Sequence, residues 1–349
     1  MTDFSSDITF PVPGGLRALA IAAVAVAAVA YPAAYAAEPV PPGAKPVPQA
    51  AVEVLNKLSG GPHPGFRANH AKGVLVTGSF IPAASAASLS MAPHLTSEQP
   101  VAVLVRFSNA TGIPALADGD GNASPHGIAI RFQLPDGQST DIVSISSNGF
   151  PVGTPEEFVA LLQAISLTGP VTPKPTPIEQ FMGSHPIALK WATTPRPAPV
   201  SFATLAYYGV NAFKFTNAAG QSAYARYQIL PLAGEQALPE SELKKASANF
   251  LMEELPLRIA KGPVGFRLVA QVAEGSDPIN DGSLVWPSSR KLIELGTLRI
   301  TGTVANQIAE QKTLLFNPLS LTPGIAASDD PVLLIRPAAY GVSYGQRFQ

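Results

Sequence analysis

The sequence predicts an α+β fold in which strands outnumber helices. From Gly73 to about Val143 it runs through short stretches rich in Val, Ile and Phe, separated by clusters of Gly, Asp, Asn and Pro. That rhythm is typical of an antiparallel sheet or barrel. Helical periodicity is confined to a few stretches. With 349 residues, 46% of them apolar, the chain is long enough for one large domain or two smaller ones.

The N-terminal segment predicts export. Arg17 precedes an apolar run from Ala18 to Ala30, and Ala-Tyr-Ala at 34–36 is a small-x-small cleavage pattern. The stretch 16–37 is also long enough to span a bilayer. We therefore expect a signal peptide or a retained membrane anchor over residues 1–36, and in either case a periplasmic or exported protein.

A proline-rich linker and a short helix are predicted over residues 37–62. Five of the eleven positions in 38–48 are proline, which favours an extended tether. The helix is expected in QAAVEVLNKL, residues 49–58. The functional domain is then expected over residues 63–349.

The first strands of this domain are predicted at VLVTGSF, VAVLVRFS, GIAIRFQL and TDIVSIS. A helix follows from Thr154 to Ile165, where a threonine cap precedes acidic residues and apolar spacing of helical period. Residues 171–200 are rich in proline and predict a wrapping loop. Further strands are predicted at NAFKFTN, SAYARYQIL and VGFRLVAQVA, with an amphipathic helix from about Glu240 to Ala260.

Composition excludes several functional classes. The formal net charge is −1 with 13% charged residues, so nothing favours a nucleic-acid partner, and a small molecule is the expected one. The chain has no cysteine, which rules out a disulfide, a thiolate nucleophile and a cysteine-based metal site. Any catalytic metal must use other ligands.

Two segments carry candidate chemistry. RANHAKG contains Arg67 and His70 in a chain with only five histidines, and the tail RPAAYGVSYGQR places Arg336 four residues before Tyr340 and Arg347 seven after it. Taken singly, each segment is more often structural than functional, because a lone histidine usually satisfies a local hydrogen bond and a terminal tyrosine usually packs. A third stretch, DGDGN at 118–122, begins like a calcium loop but lacks its later glycine and acid, so it predicts an Asp/Gly turn.

Together the segments resemble the catalase family, and closely its short exported peroxidases. The resemblance implies an antiparallel eight-stranded β-barrel with flanking helices, and a haem buried between the barrel and a C-terminal helix. The segments that match, in chain order, are FRANHAKG, VLVRFSNATG, SPHGIAIRF, NAFKFTNAAGQSAYARY, FNPLSLTPGIAASDDPVL and RPAAYGVSYGQR.

The resemblance assigns roles on both sides of the haem. Tyr340 is implied as the iron ligand, through a phenolate whose charge Arg336 stabilises. If both lie on one helix, a spacing of four residues places them on the same face. His70 is implied as the acid–base residue that moves the peroxide proton. Ser108 is implied to bind the other ring nitrogen of His70 and to fix its tautomer.

The resemblance also assigns haem-binding residues. Arg67, Arg106 and Arg347 match arginines that bind the haem propionates. Phe158 matches a phenylalanine that packs against the porphyrin. The cofactor implied is therefore haem, of the haem b type.

The catalase family has an asparagine on the same side of the haem as the acid–base histidine. The present sequence departs from the family at this position. The corresponding stretch is SISSNGFP, where the aligned position is Ser146 and Asn148 is a shifted substitute, which we retain as a candidate catalytic residue. Asn69, Lys72 and His126 receive no role. Because disproportionation needs a second peroxide to be oriented, we expect a peroxidase that uses hydrogen peroxide or organic peroxides with an organic electron donor, with at most weak catalase activity.

Three alternatives remain open. Two use the same scaffold: a hydroperoxide lyase of the allene-oxide-synthase kind, and a non-enzymatic haem carrier. Asn69 favours them, because this polar residue next to His70 shapes what approaches the iron. The third is a haem-free barrel for an apolar ligand, which leaves the tyrosine–arginine spacing unexplained. We expect membrane contact only through an uncleaved N-terminal anchor, and the oligomeric state is open.

Overall fold

The computed structural model describes residues 45–349. The signal peptide or anchor predicted at 1–36, and most of the proline-rich part of 37–62, lie outside these residues. Among residues 45–349, no helix combines the length and the apolar character needed to cross a membrane.

Ten strands of the described chain form one antiparallel sheet. They are β1 (Gly73–Pro82), β2 (Val101–Ser108), β3 (Gly127–Gln133), β4 (Ser139–Ile145), β5 (Tyr207–Tyr208), β6 (Phe213–Thr216), β7 (Ser222–Pro231), β8 (Val264–Val272), β9 (Leu292–Thr303) and β10 (Ile325–Ala327). Eight of them close a ring in the order β1-β2-β3-β4-β5-β7-β8-β9, and β9 pairs again with β1. The short strands β6 and β10 extend the sheet outside the ring. The predicted eight-stranded barrel is thereby confirmed.

Nine α-helices accompany the barrel within residues 45–349. They are α1 (Val47–Ser59), α2 (Pro93–Thr96), α3 (Pro155–Leu167), α4 (Pro177–Ser184), α5 (Pro186–Thr193), α6 (Glu240–Leu243), α7 (Phe250–Lys261), α8 (Gln307–Thr313) and α9 (Pro331–Gln346). The helix predicted at 154–165 is α3. Its first turn is closed by a capping box, in which Thr154 accepts from the Glu157 amide and the Glu157 carboxylate accepts from the Thr154 amide.

Two sequence predictions need correction. The stretch 171–200 is not only a loop, because Pro177 and Pro186 begin α4 and α5 at the first helical position, where a missing amide hydrogen costs nothing. The helix predicted over 240–260 is broken into α6 and α7, and residues 244–249 separate them.

The barrel interior is aromatic. Alternate residues of β2 point inward, and the ring of Phe107 lies 5.6 Å from that of Phe202 and 5.9 Å from those of Tyr207 and Phe266. All four side chains are fully buried, and the hydroxyl of Tyr207 donates to the Phe202 carbonyl at 2.9 Å. Burial on this scale provides the main driving force for closing the barrel.

The outer face of β2, β3 and β4 faces the helices. Successive side chains of a strand point to opposite faces, so the residues between the inward ones are directed outward. The helices α1, α3 and α9 pack against one another on this side. Strand register aligns the outward residues in two rows, Ser108–Gly127–Ile145 and Arg106–Ala129–Val143.

Candidate active site

A cavity of about 270 Å³ lies where the outer face of β2–β4 meets the helices α1, α3 and α9. Eight of the nine residues singled out from the sequence line it: Arg67, His70, Arg106, Ser108, Phe158, Arg336, Tyr340 and Arg347. The ninth, Asn148, is exposed in the bend after β4 and is not among the lining residues. The structure thus brings together residues that are up to 280 positions apart in the chain.

His70 is held in an uncommon backbone conformation at the edge of the cavity. Its φ is +55°, in the left-handed region that residues with a side chain seldom adopt. The guanidinium of Arg106 donates to the carbonyls of His70 at 2.9 Å and Ala71 at 3.0 Å. Arg106 therefore holds the turn that presents the imidazole.

The imidazole of His70 pairs with Ser108. The two polar atoms, His70 Nδ1 and Ser108 Oγ, are 3.1 Å apart. Gly127 lies directly below them, since a Cβ on this residue would be 2.8 Å from Ser108 Oγ and 3.0 Å from His70 Nδ1. The absence of a side chain at Gly127 is what lets the pair approach the sheet. Nε2 of His70 has no hydrogen-bond partner among the described residues.

Electrostatics keep the imidazole neutral. Burial lowers the pKa of His70 to about 3, and the positive charges of Arg106 and Arg67 act in the same direction. The backbone of Asn109 acts in the opposite direction. At neutral pH the ring is therefore a proton acceptor.

Three arginines meet at one end of the cavity without a carboxylate partner in residues 45–349. Arg67 donates to the carbonyl of Leu314 at 2.8 Å, and Arg347 donates to the same carbonyl at 2.8 Å. Arg106 Nε donates to the side-chain oxygen of Gln311 at 2.7 Å. Nε of Arg347 is buried and has no hydrogen-bond partner in the described part of the chain. All the acceptors are neutral, so three positive charges share this region uncompensated.

The pKa values of these guanidiniums reflect the lack of compensation. Burial, followed by repulsion from Arg347, lowers the pKa of Arg106 to about 9, and burial lowers that of Arg347 to about 10. Burial and the other two arginines also lower the pKa of Arg67. A ligand that carries carboxylates would neutralise this end of the cavity. The residues therefore fit the propionates of a haem.

The other candidate pair lies on α9. Arg336 Nε donates to the phenolic oxygen of Tyr340 at 2.9 Å, one helical turn further on. Arg336 NH1 donates to Asn211 Oδ1 at 2.7 Å, and Asn211 Nδ2 donates to Asp330 Oδ2 at 2.7 Å. The remaining oxygen of Asp330 caps α9 by accepting from the amide of Val332 at 2.9 Å. A phenol with a guanidinium beside it is the donor set that ferric haem takes from a tyrosine.

Asn211 and Asp330 were not among the residues singled out from the sequence. Asp330 precedes Pro331, which is a helix-start signal that was available in the sequence. Asn211 had no local signal, because it lies in a loop 125 residues before Arg336. Burial raises the pKa of Asp330, while the hydrogen bond from Asn211 acts in the opposite direction.

The remaining walls of the cavity are largely apolar. Ala129, Val143 and Ile145 contribute the sheet side, and the side chain of Phe158 on α3 packs beside Phe150 with 5.2 Å between ring centroids. The residue of β4 that pairs with Gly127 is Ile145. An aliphatic side chain therefore lies next to Gly127, and neither Ser146 nor Asn148, the two positions considered for the family's asparagine, lines the cavity.

Known proteins resemble the chain over most of its length. The family model described as "Catalase" matches residues 64–348. A catalase-related peroxidase of Mycolicibacterium paratuberculosis is 36% identical over 288 residues, covering 82% of this chain and 90% of the relative. A catalase-related peroxidase of Synechococcus elongatus is 33% identical over 301 residues, covering 84% of this chain and 88% of the relative.

Solved structures share the fold. A fungal catalase superimposes with a TM-score of 0.72 at 22% identity, and catalase A from Saccharomyces cerevisiae with 0.71 at 20% identity. Both matches cover 81% of this chain, which spans 59% and 61% of the two solved chains. With a family model that matches 64–348, two relatives above 30% identity and the same barrel, the chain belongs to the catalase family.

Proposed function

We propose that the protein is a haem-dependent peroxidase that reduces hydrogen peroxide or organic peroxides with an organic electron donor. The observation that carries the proposal is that one cavity contains both a neutral imidazole, His70, and a phenol–guanidinium pair, Tyr340 and Arg336. The similarity to two proteins named catalase-related peroxidases supports it.

Four groups would hold the haem. The phenolic oxygen of Tyr340 would bind the iron, with Arg336 stabilising its negative charge. The arginines 67, 106 and 347 would bind the two propionates, and Phe158 and the aliphatic residues of β3 and β4 would contact the porphyrin. Once bound, the haem supplies a redox-active iron at which peroxide is reduced.

His70 would move the proton. Its Nε2 is free of protein hydrogen bonds among the described residues, and its Nδ1 is held by Ser108 at 3.1 Å. When Nδ1 carries the hydrogen and donates it to Ser108 Oγ, Nε2 presents a lone pair. Nε2 can then accept a proton from one peroxide oxygen and return it to the other, which leaves as water or an alcohol.

The apolar wall favours a peroxidase over a disproportionating catalase. Disproportionation needs polar groups that orient a second hydrogen peroxide molecule. On the sheet side of the cavity β4 presents Val143 and Ile145, and Asn148 does not line the cavity. An aliphatic wall also favours contact with the carbon chain of an organic peroxide. We therefore expect at most weak catalase activity.

The test is peroxide-dependent oxidation of a dye by the haem-loaded protein and by His70→Ala. We expect the parent to oxidise the dye stoichiometrically with peroxide, and the variant to bind haem but to turn over about 10² to 10⁴ times more slowly, the usual contribution of positioned acid–base catalysis. Turnover by haem-loaded His70→Ala at the parental rate would contradict the role of His70.

Asn69 supports a second candidate. It lines the cavity directly before His70, so it would add a polar group beside a haem bound there. On this reading the scaffold rearranges fatty-acid hydroperoxides without a reductant, or carries haem. Consumption of a lipid hydroperoxide with no dye oxidation would favour the lyase, and rapid haem release to apomyoglobin would favour the carrier.

The proposals for localisation and partners rest on the sequence. We propose a periplasmic or exported protein, because the N-terminal 36 residues have the features of a signal peptide or anchor. The proposed ligands are haem b, a peroxide and a small organic reductant. Fractionation of cells that produce the full chain tests the location, and a cytoplasmic protein with an intact N-terminus would contradict it.

A further inference from the structure

Four polar side chains form a buried cluster behind the His70–Ser108 pair, and none of them lines the cavity. They are Lys72, Asn109, Asp118 and His126. Asn109, Asp118 and His126 are 0%, 1% and 3% exposed, and the side chain of Lys72 is 10% exposed. Groups this polar are costly to bury unless each is paired, so the cluster needs an explanation. The proposed reaction uses none of them.

Lys72 and Asp118 anchor the cluster as an ion pair. Lys72 Nζ lies 2.7 Å from Asp118 Oδ1 and donates to the carbonyls of Leu116 and Ala248, both at 2.8 Å. The second oxygen of Asp118 accepts from the amide of Leu251 at 2.8 Å, at the start of α7. Every hydrogen of the ammonium is therefore used, and both oxygens of the carboxylate accept.

The ion pair dictates the orientation of the next two groups. A carboxylate only accepts hydrogen bonds, so Asn109 must direct its amide nitrogen to Asp118, at 2.7 Å. The amide oxygen of Asn109 then faces His126 Nδ1 at 3.1 Å, and His126 must donate from that nitrogen. A series of contacts that begins at the Lys72–Asp118 ion pair thus fixes the tautomer of His126, with hydrogen on Nδ1.

The cluster joins the three segments that hold the imidazole of His70. Lys72 is two residues beyond His70, and its carbonyl accepts from the Asn109 amide at 3.0 Å. Asn109 directly follows Ser108, the partner of His70. His126 directly precedes Gly127, on which the His70 ring rests. Movement of Lys72, Asn109 or His126 would therefore displace His70, Ser108 or the Gly127 backbone beneath them.

We propose that the cluster of Lys72, Asp118, Asn109 and His126 holds the His70–Ser108 pair in position. The inference rests on the proposed peroxidase function, in which His70 moves the proton. Asn109 and His126 are positioning residues, since they do not line the cavity and act on His70 from behind it.

The charges around the cluster agree with this role. Burial lowers the pKa of His126 to about 4, with Asp118 acting in the opposite direction, so His126 is neutral near pH 7. The charged groups that face His70 are Arg106 and Arg67, and a protonated His126 would add a third positive charge. The cluster therefore places a neutral imidazole, that of His126, close to His70.

The test compares Asn109→Leu and Asp118→Asn with Asp120→Asn, an exposed residue of the same turn that caps Asn122. We expect both cluster variants to lower kcat by about 10- to 100-fold, as a small misplacement of a catalytic group does, with KM for the dye and the haem absorption band unchanged. Asp120→Asn should behave as the parent. Cluster variants with parental kcat would overturn the proposal.

Nitrogen NMR of histidine-labelled apo-protein gives a second readout that needs neither haem nor turnover, and it applies even if a variant fails to fold. In the parent we expect hydrogen on Nδ1 of His126. In Asn109→Leu we expect the His126 and His70 signals to shift together. A parent His126 with hydrogen on Nε2, or an unchanged His70 signal in a folded variant, would overturn the positioning role. A parent with the expected signals and no peroxidase activity would instead refute the proposed function.

Discussion

Arg336 Nε and the phenolic oxygen of Tyr340 are joined by a 2.9 Å hydrogen bond on one face of α9. The spacing of four residues makes this contact a local property of the helix. The far side of the guanidinium is fixed by Asn211, which in turn is bound to the buried carboxylate of Asp330. The orientation of Arg336 toward the phenol thus depends on a loop residue 125 positions earlier in the chain.

Replacing Asn211 should weaken haem retention. In Asn211→Leu the guanidinium of Arg336 loses one of its two acceptors and keeps Tyr340, while Asp330 loses a donor. Hydrogen bonds to charged groups contribute about 1.5 to 3 kcal/mol each. We expect haem to transfer to excess apomyoglobin about tenfold faster or more. The control is Asn280→Leu, at an exposed position. Equal transfer rates from all three proteins would show that the hydrogen bonds from Asp330 through Asn211 to Arg336 do not help Tyr340 to retain haem.

Arg67→Met should have opposite effects on the apo-protein and on haem binding. Within residues 45–349 the guanidinium makes one hydrogen bond, to Leu314, and its pKa is lowered by burial and then by the charges of Arg106 and Arg347. We expect the free energy of unfolding of the apo-protein to be unchanged or raised, while haem affinity falls about 10- to 100-fold with the loss of a charged partner for a propionate. Urea unfolding with and without haem measures both.

Arg131→Met is the matched control for that experiment. Arg131 donates two hydrogen bonds to Asp141, at 2.8 and 2.7 Å, so it has the carboxylate partner that Arg67 lacks within residues 45–349. Its loss should lower stability equally in both forms. If Arg67→Met instead destabilised the apo-protein as Arg131→Met does, the cluster of Arg67, Arg106 and Arg347 would not be an anion-binding site with uncompensated charge.

Gly127→Ala should impair turnover and spare haem binding. A methyl group there would lie 2.8 Å from Ser108 Oγ and 3.0 Å from His70 Nδ1, so the pair must shift. We expect the rate of dye oxidation to fall about 10- to 100-fold, with the haem absorption band retained. Gly183→Ala on α4, where a methyl group meets nothing within 4 Å, should match the parent. A fully active Gly127→Ala protein would argue against close positioning of the pair.

His94→Leu should reduce the sensitivity of the fold to acid. Burial lowers the pKa of His94 to about 3, against about 6.5 when the chain is unfolded. Between these values the unfolded state binds more protons, so stability falls as the pH drops below about 6.5. We expect His94 to account for about 2 to 3 kcal/mol of the loss between pH 7.5 and pH 4.5.

Urea unfolding at these two pH values tests the role of His94. Its ring lies 4.7 Å from that of Phe132, and its Nδ1 is buried without a hydrogen-bond partner among residues 45–349. Phe132→Leu disturbs the same packing without a titrating group, and should lower stability by the same amount at both pH values. A pH dependence in His94→Leu equal to that of the parent would contradict the assignment.

Much of the fold followed from local patterns. The strands β1 to β4 and the helix α3 were visible as apolar runs and a threonine cap, because alternation and capping are written into adjacent residues. The helices α4 and α5 were missed, since proline reads as a loop signal although it is favourable at the first helical position. The strand β9 had no counterpart in the sequence interpretation.

The site was predictable where chemistry is local and unpredictable where it depends on tertiary contact. The pairs Arg67–His70 and Arg336–Tyr340 are close in sequence and were singled out. Asn211 and the partners of His126 come together only when the barrel closes. The exposed position of Asn148 also follows from the bend after β4, which no local pattern specifies.

The most direct test of the account is a haem titration of the purified protein and of Tyr340→Phe, followed by absorption spectroscopy. The parent should bind one haem per chain with a Soret band typical of five-coordinate ferric haem with a phenolate ligand. Tyr340→Phe, with the circular dichroism of the parent, should lose that band or bind haem far more weakly. A parental Soret band in Tyr340→Phe would contradict the assignment of Tyr340 as the iron ligand.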